Sequence, residues 1–123
     1  MRDLDDFVKL YFECVAELKR IGIEPGPVRD LVLGGLPDNA FGYCRYYGKE
    51  KVYDIHLSYG LDDERISDTV VKSFIIHEIL HTLPGCMNHD DPDGWDDAAD
   101  YVMERYAQYN LRARTRQEIY DLA

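Results

Sequence analysis

The sequence predicts an α+β fold in which helices pack on a small, mainly antiparallel sheet. Three observations predict it: a helical apolar stripe near the N-terminus, two alternating segments joined by a turn in the middle, and a later helix that is apolar around most of its circumference. A two-residue period marks a strand with one covered face, and a period near 3.6 marks a helix with one covered side.

The elements follow in order. Leu4, Phe7, Val8, Tyr11, Phe12, Val15 and Leu18 recur at helical spacing, with Asp3 as the N-cap and Gly22 as the stop, so residues 3–20 form the first helix. Ile23 to Pro27 is a turn-rich connector, Val28 to Leu33 a short strand, and Gly34-Gly35 with Pro37-Asp38-Asn39 a loop. Strands at 41–47 and 52–58 are joined at Gly48-Lys49-Glu50-Lys51 as a hairpin. Within the second of them, Tyr53, Ile55, Leu57 and Tyr59 share one face, while Asp54, His56 and Ser58 share the other. A lone His such as His56 on a polar strand face reads as a surface residue, with lining of a cleft as its functional alternative. The second helix covers about 64–82 and stops at Pro84-Gly85. A third helix runs from Trp95 to Tyr109 on Ala98, Ala99, Val102, Met103 and Tyr106, and Thr115 to Glu118 fits a capping box for a last short helix.

The second helix carries the chemistry. His77-Glu78-Ile79-Leu80-His81 sets two imidazoles one turn apart, about 40° around the axis from each other, with Glu78 about 60° from His81. Two ring nitrogens so placed can bind one Zn²⁺, and a neighbouring carboxylate can take the proton of a water bound to it. Val70, Val71, Phe74, Ile75, Ile76, Ile79, Leu80 and Leu83 surround the motif, so its polar side chains are expected to be buried, where they need partners. The competing reading is a hydrogen-bonded pair of core histidines. A third ligand is needed: His89 ranks first, because the turn at Pro84-Gly85 lets the chain reverse toward the metal. Glu104 or Asp100 from the third helix ranks second, and Cys86 third.

The run from His77 to His89, with Trp95 opening the next helix, resembles the metal-binding segment of the SprT-like zinc metallopeptidases, the catalytic-domain type shared with the Spartan proteases. Phe41-Gly42-Tyr43-Cys44-Arg45 is similar to that family's Gly-x-Cys strand, Tyr53 to Ser58 to the strand after it, and Tyr109 to Arg112 to its tail. The resemblance spans roughly residues 41–114. It implies a minimal zincin-like fold, one Zn²⁺ ion on His77, His81 and His89, and Glu78 as general base in peptide-bond hydrolysis. The acidic link Asp90 to Gly94 is longer than the family's, and no cysteine-rich zinc ribbon follows. The alternative function is a non-catalytic, zinc-stabilised module that binds a protein or nucleic-acid partner; four metal ligands including Cys86 would favour it, and a free Glu78 disfavours it.

Composition agrees with one small enzyme domain over residues 1–123. Apolar residues make up 46% of the chain, too many for a disordered segment. The net charge of −10 disfavours nucleic acid and anionic membranes as partners, although the family resemblance keeps nucleic acid among the possibilities. The expected partner is a protein or peptide substrate, and the default state is a monomer. The four arginines between Arg105 and Arg116 read as a solvated helix end, and the acids of Asp90 to Asp97 as an exposed loop. Three cysteines, Cys14, Cys44 and Cys86, form no disulfide framework, and the charged N-terminus is unlike a signal peptide. The cytoplasm is the expected compartment.

Overall fold

A computed structural model describes residues 1–20, 22–36 and 42–83. Their order is helix α1 (Leu4–Arg20), strand β1 (Val28–Gly34), strands β2 (Gly42–Tyr47) and β3 (Val52–Ser58), a 3₁₀ turn at Tyr59–Asp62, and helix α2 (Asp68–Leu80). The α+β expectation therefore holds for these residues. His89, Cys86, Asp100, Glu104 and the expected helices from Trp95 and Thr115 lie outside them.

α1 starts where its cap predicts. The Asp6 backbone N–H donates to Asp3 Oδ1 at 2.9 Å and the Asp3 N–H to Asp6 Oδ2 at 3.0 Å, so two otherwise orphaned donors are satisfied reciprocally. It ends on Gly22, whose φ of 88° suits glycine alone among common residues, with Ile23 N–H donating to Leu18 O at 3.0 Å. Phe7, Leu10, Cys14 and Leu18 form its buried side. Leu4 and Phe12, expected in that stripe, are instead exposed, Phe12 by 62%. The helical period locates an apolar stripe to within its width, and these two residues fall on its rim.

The sheet corrects the expectation of a mainly antiparallel arrangement. β3 is central: it pairs antiparallel with β2 and parallel with β1, so the sheet is mixed. Alternation of side chains assigns faces to a strand but carries no information on its neighbours, which is why the parallel pairing was not foreseen. The hairpin turn falls at residues 48–51 as expected, with Lys51 N–H donating to Tyr47 O at 2.8 Å. Ile55 and Leu57 of β3 are fully buried and face the helices in a core shared with Phe7, Leu18, Val70, Ile75 and Ile79.

α2 begins at Asp68, four residues later than its apolar pattern suggests. Ser67 is its N-cap, accepting from the Val70 N–H at 3.3 Å. Arg2 braces the segment before that cap. Its largely buried guanidinium donates to the carbonyls of Asp63 at 2.8 Å and of Leu61 at 3.3 Å, and also to that of Ile66 and to the Asp68 carboxylate. From Val70 to Leu80 every α2 side chain except Lys72 is buried, as the even distribution of apolar residues predicts. Among the described residues no helix is long and apolar enough to cross a membrane.

Candidate metal centre

Three ionisable side chains are buried at the C-terminal end of this apolar helix. His77, Glu78 and His81 are 8%, 4% and 7% exposed, so the expected burial of the motif is met. The His77 and His81 rings lie 5.0 Å apart, centre to centre, at 85° to one another. That spacing is compatible with one nitrogen from each ring on a single zinc at about 2.0–2.1 Å. Among the described residues no group of three His, Cys, Asp or Glu side chains could hold a metal, and the candidate third ligands lie outside those residues. His89, the first-ranked candidate, lies there with its rivals.

Glu78 points at the sheet. A Cβ on Gly42 would sit 3.0 Å from Glu78 Oε2 and 3.1 Å from its Cγ, so any larger residue there would press the Glu78 side chain aside by a few tenths of an ångström. Burial raises the Glu78 pKa from its ordinary 4.5 to about 8, with no cation or hydrogen-bond donor among the described residues to offset that cost. Cys44, two residues along β2 on the same face, has its thiol pushed up to about 12, first by burial and then by the nearby charges of Glu78 and Asp54. It stays a protonated thiol at neutral pH. Cys14 is fully buried in the core, its Sγ 3.7 Å from the Lys72 carbonyl, and is likewise pushed up to about 12 by burial.

His56 departs from its expected place. It is half-buried, stacked on Tyr43 with ring centres 4.3 Å apart and planes 8° apart, and its buried Nε2 has no hydrogen bond among the described residues. Desolvation lowers its pKa most, Asp54 raises it and Arg45 lowers it. Tyr43 and His56 are register partners on the sheet face opposite Gly42 and Cys44, so the structure does not bring His56 to Glu78. Asp54 on that face is buried and held by Arg29 at 3.2 Å, while Arg29 also lies over the Tyr47 ring.

Two neighbours of the motif had no reading in the sequence. Gly42 stands out there only as part of the Gly-x-Cys resemblance, and the available signal was the general one that a glycine inside a strand marks a close approach. Gly26 and Thr82 are 56 positions apart, yet the Gly26 N–H donates to Thr82 Oγ1 at 2.8 Å. Comparison of the chain with protein-family models, with curated proteins and with solved structures gives no match.

Proposed function

We propose that the chain is a zinc-dependent metallopeptidase of the SprT-like, zincin type, with His77, His81 and His89 as metal ligands and Glu78 as general base. The observation that carries this reading is Glu78 itself, a carboxyl group buried against the face of the edge strand β2, next in sequence to the buried His77 and three residues before the buried His81. A carboxylate buried without a partner costs several kcal/mol, of order 5, and a fold keeps one where a cation and a proton-bearing ligand complete its surroundings.

Zinc, when bound, supplies a Lewis acid that lowers the pKa of a coordinated water toward neutrality. The chain supplies the rest. Glu78 takes the proton of the attacking water on its carboxylate and passes it to the amine nitrogen that leaves. Burial of Glu78, 4% exposed, keeps bulk water from its carboxyl group, which strengthens each charge interaction it makes. β2 pairs with β3 alone in the sheet, so its other edge is unpaired among the described residues and suits an extended peptide added as a further strand. Gly42, whose Cβ position faces Glu78, belongs to that strand. The same position gives the alternative of a purely structural zinc module less support, since a structural site has no use for a carboxylate held against an edge strand.

Degradation of an unfolded protein tests the reading. The zinc-loaded chain is expected to cut it, a chelator to stop the cutting, and one equivalent of zinc to restore it. A rate unchanged by the chelator would refute metal-dependent hydrolysis.

A further inference from the structure

The α-helix that holds the motif ends before the motif does. α2 stops at Leu80, and His81 is its C-cap. From there the chain tightens into a 3₁₀ turn: His81 N–H donates to Glu78 O at 3.2 Å, Thr82 N–H to Ile79 O at 2.9 Å, and Leu83 N–H to Leu80 O at 3.1 Å. His77 is fixed by helix on both sides, whereas His81 stands in a terminal turn, the part of a helix that frays most readily. A two-histidine site needs the second ring held as firmly as the first.

A strap from the other end of the chain does this. Residues 23–27 join α1 to β1 and cross the end of α2, where Gly26 N–H donates to Thr82 Oγ1 at 2.8 Å while that hydroxyl donates to Ile79 O at 2.6 Å. The hydroxyl thus closes the last turn and receives the strap with one oxygen. The contact is close as well as polar, because a Cβ on Gly26 would lie 2.6 Å from the Thr82 carbonyl oxygen and 2.9 Å from its Cβ. Both ends of the strap are tied to rigid elements: Ile23 N–H donates to Leu18 O of α1 at 3.0 Å, and Pro27 O accepts from Tyr53 N–H of β3 at 2.9 Å. Pro25 and Pro27 flank Gly26 and restrict the backbone on either side of the contact.

We infer that Gly26 and Thr82 are positioning residues for the metal centre, with the 23–27 strap locking the His81 turn to α1 and to the central strand. The inference rests on the zinc reading above and concerns how that site keeps its shape. Support of this kind around a metal ligand changes affinity by roughly 10- to 100-fold when it is removed.

The test is zinc affinity, measured by competition with a chelating dye, in wild type, Thr82→Val, Thr82→Ser and Gly26→Ala. Thr82→Val keeps the shape of the side chain and removes the hydroxyl, so zinc affinity is expected to fall at least about tenfold, while Thr82→Ser, which keeps the hydroxyl, stays within about threefold of wild type. Gly26→Ala keeps every hydrogen-bonding group and displaces only the strap. It is expected to weaken zinc in the same way and carries the test if Thr82→Val loses its fold, as judged by circular dichroism. Folded Thr82→Val or Gly26→Ala proteins with wild-type affinity would overturn the strap and leave the zinc site standing. A wild type that binds no zinc would overturn the zinc reading, and the strap's role with it.

Discussion

Replacing Glu78 by Gln is expected to lower the rate of peptide hydrolysis by the zinc-loaded protein by about 10²–10⁴-fold while leaving zinc bound. The amide is nearly isosteric with the carboxylate, so it fits the space that Gly42 leaves on β2. What it removes is the capacity to take a proton from water and return it to the leaving nitrogen. Steady-state rates on an unfolded protein, with zinc content measured on the same samples, check this. Equal rates in the two proteins would remove Glu78 from the mechanism.

The same substitution is expected to stabilise the metal-free protein, by roughly 3 kcal/mol at pH 7. Burial raises the Glu78 pKa from 4.5 to about 8, so the folded state holds a proton there that the unfolded state releases. Below pH 4.5 both states are protonated and the group has no effect on stability. Between 4.5 and 8 the unfolded state ionises freely and the folded state does not, which costs the fold about 1.4 kcal/mol for each pH unit; above 8 the cost is constant. The Glu78 contribution to stability should therefore grow more favourable on acidification from pH 8 toward pH 5, and Glu78→Gln should lack that contribution. Urea unfolding of the two proteins across this range isolates the contribution of Glu78, because all other titrating groups are shared. A difference that does not change with pH would contradict a buried, uncompensated carboxylate. With both results, one side chain would weaken the fold and be needed for turnover, the trade expected at an active site.

Local signals made much of this molecule legible in its sequence. The Asp3 cap, the Gly22 stop, the strand spans and the four-residue hairpin turn each depend on a few adjacent residues, and each stands within a residue or so of its expected place. The buried motif was legible too, since apolar residues all around a helix leave its polar ones no solvent to face. The remainder depends on residues far apart in the chain. The parallel pairing of β1 with β3, the capture by Arg2 of carbonyls about sixty positions away, and the close approaches of Gly42 to Glu78 and Gly26 to Thr82 leave no periodic trace. His56 shows the same limit from the other side: its place on a polar strand face was read correctly, but its burial comes from Tyr43 across the hairpin. His89 carries the largest share of the proposed site that lies outside the described residues, and the motif's two histidines fix only where its ring must arrive.

X-ray absorption at the zinc edge of the purified protein tests the central claim most directly, because it counts the ligand atoms and distinguishes nitrogen from sulfur. The account predicts one zinc per chain with three imidazole nitrogens at about 2.0–2.1 Å, a further light atom, and the loss of one imidazole in His89→Ala. A sulfur at about 2.3 Å would place Cys86 on the metal and make the site structural, and a protein that retains no zinc would contradict the account altogether.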